Sequence, residues 1–455
     1  MRLMNFQAPG LNKAIEFSNM VSKSEIGIGI SYNFKSRRLL LNEILKTINV
    51  SFTLEGLNRM QSTMLCELKD SYVQQSQRYV TSGKDSYYLP EVILEDKDLE
   101  EAKKLLDESF GLYNKMSLLK DEYANYKGRK NASHYQFGIP IEDARYILPL
   151  ASKTNIVVAT TGDKFLNILD LIYDEEFGLS VTDEICHDLN NLGISDFFDY
   201  GTSLHRKIKS LANMYYSNIF NLIDKNKEDV ILYSKFENPD IIVGTGAATS
   251  GSVKTPSEII KSWGENIKDD ARNLTKRVMS YGHTSIIEQS RTSFVFEMSL
   301  SAYHQFIRHR LPNNFREDLI DITLKFREPY IPQSIKDSVF YQEYMDLINK
   351  FYEFRKTLML RGYNNSVVNL FLLNCDKIRV ASSTNARIDC HMLKDRICKT
   401  AQTEIREHSE KKYKILKGIS DIFYKDALPP CVYGQCKEGK MTCGNQKEMI
   451  EKYKE

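Results

Sequence analysis

Apolar and polar positions repeat along this chain with two periods, and the changes of period mark its elements. Ile26, Ile28 and Ile30 alternate with Gly27 and Gly29, a two-residue period that predicts a strand weakened by its glycines. Residues 39–57 are apolar-periodic. Residues 97–127 are rich in Glu, Lys and Leu, with Leu105, Leu106, Phe110, Tyr113 and Leu118 near helical spacing. After Pro140, residues 141–148 predict a short helix that Pro149 stops. Residues 155–161 are β-branched and predict a strand. Helical periodicity over residues 199–237 ends in a charged run from Asp224 to Asp229. Asp240-Ile241-Ile242-Val243-Gly244 reads as a strand, with a small-residue loop from Gly246 to Ser252. Phe294, Phe296, Met298, Leu300, Tyr303, Phe306 and Ile307 form a helix-like segment apolar enough to be buried. An aromatic helical stripe over residues 339–360 belongs in a core or interface, and residues 388–416 predict one long helix.

A chain of 455 residues exceeds what one core organises, so two domains are expected, divided at Asn238-Pro239 into residues 1–237 and 238–455. An apolar share of 42% and a charged share of 27% describe a soluble globular protein. A net charge of +2 argues against nucleic acid or an acidic membrane as partner. There is no signal-like apolar run at Met1 and no apolar run long enough to span a bilayer, so a cytoplasmic location is expected. The cysteines are mostly scattered, unlike a secreted disulfide framework. Cys431, Cys436 and Cys443 gather in a Gly-rich tail, at metal-ligand spacing but one ligand short of a structural zinc site. A reduced, packed tail accounts for them as well.

The chemistry concentrates between Tyr281 and Tyr330. Arg308 and Arg310 flank His309 at the end of the buried apolar segment. Arginine keeps its charge and presents a planar fork of donors, so this cluster needs a carboxylate or a phosphate as partner. The setting makes charge the theme at His309 too. By contrast, Lys127-Gly128-Arg129-Lys130 reads as a solvated turn, and Gly244, Gly246 and Gly251 have the wrong spacing for a dinucleotide fingerprint.

Together these landmarks resemble the flavin-dependent thymidylate synthases, the ThyX family. Tyr281-Gly282-His283-Thr284-Ser285 with Glu288, Gln305-x-x-Arg308-His309-Arg310, Asn385-Ala386-Arg387, Arg396 and Ala401-Gln402-Thr403-Glu404-Ile405-Arg406 carry the resemblance in order. The first half resembles the same family through Ser76-Gln77-Arg78-Tyr79 and Glu142-Asp143-Ala144-Arg145-Tyr146-Ile147-Leu148-Pro149. The resemblance implies an α+β fold of two tandem ThyX-like domains, mixed helices and antiparallel sheet forming a pseudo-dimer. Each copy looks incomplete in a complementary way. The first holds Cys66-Glu67-Leu68 in the Arg-His-Arg slot and Thr161-Gly162-Asp163 in the Asn-Ala-Arg slot. The second has Asp318 and Ile320 for Ser76 and Arg78, and Asn369 for Arg145.

The same resemblance implies the ligands and the reaction. Ser76, Gln77, Arg78, Arg145, Gln305, Arg308 and Arg396 would bind dUMP, with Gln305 and Arg396 also acting in catalysis by polarising the uracil. His283, Ser285, Glu288, Arg308, His309, Arg310, Asn385, Arg387 and His391 would contact FAD. The activity would be reductive methylation of dUMP to dTMP, with methylenetetrahydrofolate giving the one-carbon unit and NADPH reducing FAD. Two chains would form a homodimer that rebuilds a pseudo-tetramer. The bland alternative pairs Arg78 and Arg145 with local carboxylates such as Glu142 or Asp143. After Arg310 the family carries a Ser and an Asn-Glu pair where this chain has Asn313, Phe315 and Arg316. Another pyrimidine nucleotide is therefore the second reading, and a non-catalytic nucleotide- or flavin-binding homologue the third.

Overall fold

The computed structural model describes residues 1–23, 34–77, 86–91, 93–117, 139–172, 202–439 and 442–453. The expected strand at Ile26–Ile30, the basic run at Lys127 and, most consequentially, Arg78 and Tyr79 lie outside the described residues. The chain divides into two compact units. One takes residues 1–118, 139–212 and 318–376; the other takes residues 213–317 and 377–455. This is not a single cut at Asn238-Pro239, because residues 318–376 leave the second half for the first unit. The physical reason is a helix pair: Tyr341–Leu360 packs on Asp96–Ser117, burying Tyr344, Leu347 and Phe351 from one and Leu105, Leu106 and Phe110 from the other.

In the first unit, strands β1 (Arg2–Gln7), β2 (Asn49–Asn58), β3 (Ser71–Gln74) and β4 (Lys153–Thr161) form an antiparallel sheet in the order β1-β2-β4-β3. Val50, Phe52 and Leu54 of β2 all point to one buried face, as a period of two requires. The helix Gly162–Ile172 packs against β2 and β4, with the Phe52 and Phe165 rings 5.6 Å apart. Within this unit Arg355 and Asp376 form a buried ion pair at 2.9 Å. Arg355 Nη1 also donates to the Phe371 carbonyl at 3.0 Å, and Asp376 accepts from the Leu373 N–H at 2.7 Å.

In the second unit, β5 (Val230–Lys235), β6 (Arg291–Ser299), β7 (Asn313–Arg316) and β8 (Lys377–Asn385) repeat that order as β5-β6-β8-β7. The registers match as well. Asn58 pairs with Lys153 as Ser299 pairs with Lys377, and Asn49 with Thr161 as Arg291 with Asn385. Mixed helix and antiparallel sheet make the fold α+β. Among the described residues no helix is long and apolar enough to cross a membrane.

Several expectations from the sequence are corrected here. Asp240–Gly244 lies in the helix Pro239–Thr249, which also absorbs the start of the expected loop from Gly246. Pro239 starts this helix with its φ already set, and Gly244 lets it touch the helix Ile267–Ser280: a Cβ there would stand 2.5 Å from Ala271 Cα. The apolar segment through Phe294 and Phe306 is a strand and then a helix, β6 followed by Leu300–Phe306. Burial on both faces of β6 erased the period that would have separated the two. Residues 388–416 form two helices, Ala386–Arg396 and Thr403–Ile419, with a break between.

This packing makes two stability predictions. Gly244→Ala forces the two helices apart and lowers stability by about 1–3 kcal/mol, the usual cost of overpacking. A urea midpoint equal to that of the parent chain would contradict this packing. Asp376→Asn strands the Arg355 charge and costs roughly 3–5 kcal/mol, whereas Arg355→Met with Asp376→Leu recovers most of it. Thermal melts of the single and double variants measure both.

Candidate functional site

The second unit builds its site from the two ends of the β6–β8 ladder. At one end Ser299 caps the helix Leu300–Phe306, its Oγ accepting from Ala302 N at 3.0 Å. Glu404 fixes this cap from behind: its carboxylate accepts from Ser299 N at 2.6 Å and from Ser299 Oγ at 2.5 Å. The helix carries Gln305 in its last turn and hands the chain to Arg308-His309-Arg310. At the other end Asn385 caps the helix Ala386–Arg396, its side chain accepting from Ile388 N at 2.9 Å. That helix carries Arg387, His391 and Arg396.

The far ends of these helices meet. Arg396 Nη2 donates to the Gln305 carbonyl at 3.2 Å, and the His309 and His391 rings stand 6.2 Å apart at 89°. Gln305 Nε2 donates to Gln402 Oε1, and Gln402 Nε2 reaches Ser301 Oγ at 3.4 Å. Gln402 stood in the sequence motif without a role; it orients the Gln305 amide. Among the buried atoms here, Gln305 Oε1 and His309 Nε2 have no hydrogen-bond partner among the described residues. Buried polar atoms are normally satisfied, so both ask for a ligand or ordered water.

Charge divides unevenly within the cluster. Arg308 and Arg310 are exposed, while His309 is half-buried. Burial, then the charges of Arg396, His391 and Lys412, lowers the His309 pKa to about 3. His309 is therefore a neutral imidazole at neutral pH, which corrects the expectation that it adds charge between its arginines. Lys412 supplies a buried cation, paired with Asp389 at 2.6 Å and standing 4.9 Å from the centre of the Phe294 ring. The ligating atoms of His309, His391 and Asp395 lie within 4.8 Å of one another, yet the positive charge of Arg396 acting at His309 disfavours a metal cation there.

On the other side of the helix Ala386–Arg396 lies the short 3-10 segment Thr284–Gln289. Arg387 Nη1 binds Glu288 at 2.5 Å across this contact, so two of the expected ligand contacts are partners of each other. His283 and Ser285 are exposed beside them. Asn385 spends its side chain as the helix cap and is buried.

The first unit gathers a different set. Arg145 is buried to 2% exposure, its Nε donating to the Glu142 carbonyl at 3.2 Å, and Asp143 accepts from Ser334 Oγ at 2.7 Å. Asn374, which the sequence did not single out, ties the group together. Its Nδ2 donates to the Arg145 carbonyl at 2.9 Å and to Gln77 Oε1 at 3.4 Å. Gln77 Nε2 is buried with no hydrogen-bond partner among the described residues, and Ser76 is half-buried next to it. The strand registers bear on which residues correspond. Ser71 pairs with Ala159 as Asn313 pairs with Ser383, which sets Asp318 and Ile320 opposite Ser76 and Arg78. The β4–β8 correspondence sets Thr161-Gly162-Asp163 against Asn385-Ala386-Arg387, and Asn369 against Arg145. Counted from the helix caps at Asn58 and Ser299, the Arg308-His309-Arg310 slot holds Glu67-Leu68-Lys69, one residue later than the count from β3 gives. Neither count places an arginine or histidine there.

Comparison with known proteins adds the family. The chain is 28% identical over 192 residues to the flavin-dependent thymidylate synthase of Geobacter sulfurreducens, covering 41% of this chain and 82% of that protein. It is 28% identical over 235 residues to the one of Clostridium tetani, covering 48% and 93%. With the one of Thermococcus kodakarensis it shares 31% identity over 209 residues, covering 43% and 84%. The family described as "Thymidylate synthase complementing protein" matches residues 35–177 and 231–420, which take in both sheets' central strands and the Arg308, Asn385 and Arg396 cluster. The chain belongs to this family.

Proposed function

We propose that this protein is a flavin-dependent thymidylate synthase, converting dUMP to dTMP, in which two tandem copies of one domain divide the ligand-binding residues. The observation that carries the reading is the convergence of Gln305, His309, Arg308, Arg310 and Arg396 at two meeting helix ends, with Gln305 Oε1 and His309 Nε2 left for a ligand. Uracil and the flavin ring both present alternating carbonyls and N–H groups, which suits such a pair of unsatisfied atoms. Tandem copies are supported by the repeated strand order and registers, and by relatives that match less than half of this chain along most of their own length.

Arg308 and Arg310 supply exposed, permanent cations for phosphate oxygens. Arg396 holds the Gln305 carbonyl and brings positive charge to the uracil, polarising it without an enzymic nucleophile. His283, Ser285, Arg387 and His391 line the flavin side, with Glu288 orienting Arg387. FAD, when bound, supplies the hydride that NADPH provides and that completes the methyl group donated by methylenetetrahydrofolate. From the first copy, Ser76, Gln77, Arg78 and Arg145 act on the same nucleotide, and two chains assemble as a homodimer that rebuilds a pseudo-tetramer.

Residues 313–316 bear on the second reading, another pyrimidine nucleotide. Phe315 stacks on Tyr216 with ring centres 4.0 Å apart, and buried Arg316 donates to the Glu317 carbonyl at 3.1 Å. These departures from the family pattern have structural work in β7, which favours dUMP.

The decisive measurement is tritium release from 5-labelled dUMP in the presence of FAD, NADPH and methylenetetrahydrofolate. Release is expected. A yellow protein that releases none from dUMP but acts on another pyrimidine nucleotide would transfer the assignment, and a colourless protein that fails to take up FAD would end it. Division of labour makes a separate prediction. Arg308→Ala and Arg78→Ala each weaken dUMP binding by roughly tenfold or more, the loss of one charge-assisted hydrogen bond. If Arg78→Ala titrates like the parent chain, the first copy has no part in nucleotide binding.

A further inference from the structure

Within the first unit, two stretches that correspond to each other lie side by side. By the β4–β8 correspondence Pro149 matches Leu373, and these two residues form an antiparallel bridge. The hydrogen bonds around it come in matched pairs. Leu150 N donates to the Leu372 carbonyl at 2.7 Å, as Asn374 N donates to the Leu148 carbonyl at 2.9 Å. Ala151 N donates to the Leu370 carbonyl at 2.8 Å, as Cys375 N donates to the Tyr146 carbonyl at 2.9 Å. The bridge is therefore locally two-fold, with Leu150 and Asn374 in matching places, each 1% exposed.

The side chains break that symmetry. Asn374 joins Gln77 and the Arg145 carbonyl in one polar group. The positions that match Asn374, Gln77 and Arg145 hold Leu150, Leu319 and Asn369. Both leucines are buried. The amide thus stands on the side that keeps Arg145, and an apolar residue takes its place on the side without that arginine.

The direction of each bond decides what Gln77 presents. A backbone carbonyl only accepts, so Asn374 must turn Nδ2 toward that of Arg145, at 2.9 Å. The same Nδ2 stands 3.4 Å from Gln77 Oε1 and so fixes the oxygen end of the second amide. Gln77 Nε2 is the end left over, buried and with no hydrogen-bond partner among the described residues. We propose that Asn374 is a positioning residue for nucleotide binding: it holds the Gln77 amide so that Nε2, a donor, meets an oxygen of the nucleotide. Without that hold the amide turns over with little change of shape and offers an oxygen to an oxygen. Asn374 Oδ1 is also buried without a partner among the described residues, and an ordered water or a ligand hydroxyl completes it. This role rests on the proposed assignment of Gln77 to the nucleotide.

Titration of the full-length, flavin-loaded protein with dUMP tests this role. Asn374→Leu, which installs the residue of the matching position, should raise the Kd for dUMP about five- to tenfold, the range of one hydrogen bond. Flavin uptake and kcat at saturating dUMP should stay near those of the parent chain. Asn374→Asp keeps the shape but puts an acceptor where Nδ2 stood. It should draw Gln77 Nε2 toward itself and weaken dUMP binding at least as much, which carries the test if the leucine variant misfolds. Gln77→Leu should weaken binding similarly, and Asn374→Leu added to it should cost little more, because one residue acts through the other. A folded Asn374→Leu protein with the parent's Kd overturns the proposal, as does an aspartate variant that binds more tightly than the leucine variant. Fully additive losses at the two positions overturn it too. A parent chain that takes up flavin but no dUMP overturns the nucleotide assignment itself, and this role with it.

Discussion

The nine-pair antiparallel ladder between β6 and β8 is the constraint on which the second unit's site depends. Because the strands run in opposite directions, their exits lie at opposite ends, Ser299 opposite Lys377 and Asn385 opposite Arg291. Each exit is capped by a short polar side chain and turns directly into a helix. Nine strand residues span about 30 Å. The helices of 11 and 7 residues that leave from the two ends rise about 16 and 10 Å. They approach one another from opposite ends and meet, which is why Arg396 finds the Gln305 carbonyl. Both helices present their C-termini to this point, where the macrodipole is negative and cations are favoured. Arg308, Arg310 and Arg396 are accordingly stabilised by the backbone before any anion arrives.

The first unit shows how little of this chemistry the scaffold itself requires. Its ladder ends in a capping box at Asn58 and Gln61, as firm a cap as Ser299 makes, yet the helix begun there runs out into Glu67-Leu68-Lys69. At the other exit Thr161 Oγ1 donates to Asp163 at 2.5 Å, and Gly162 lies so close to Leu45 that a Cβ would stand 2.8 Å from its Cβ. Asp163 thus serves a local turn where Arg387 faces outward to Glu288. A sheet held by its registers and caps leaves the residues just beyond the exits open to change. Under the proposed division of labour, that tolerance is what lets one copy keep Arg145 and the other keep Arg308.

The residues that meet at the two helix ends could be picked out in the sequence because charged and polar types at fixed spacing are seldom placed by packing alone; their states could not. Arg308-His309-Arg310 reads as a cluster of charge, but the neutrality of His309 comes partly from Arg396, which only the meeting of the two helices brings near. Glu288 and Arg387 both looked like ligand contacts, and only the structure shows that they bind each other. Asp240–Gly244 has the composition of a strand; its helix depends on Pro239 and on the close approach of Ala271. Asn374 and Gln402 escaped because an amide that orients another amide has no signature in spacing. The order of elements could be read locally, whereas the partition into units rests on the packing of Tyr341–Leu360 on Asp96–Ser117.

Arg396 occupies a place where a helix would ordinarily be weakest. It is the last residue of Ala386–Arg396, and helix ends fray because their final carbonyls lack intrahelical partners. Here the Ile397 N–H still reaches the Leu393 carbonyl at 2.9 Å, and Cys398 comes directly after it. Lys399 then joins Glu448, an ion pair that runs from this helix end to the helix Gln446–Tyr453. Exposed ion pairs of this kind hold weakly, typically about 0–1 kcal/mol each.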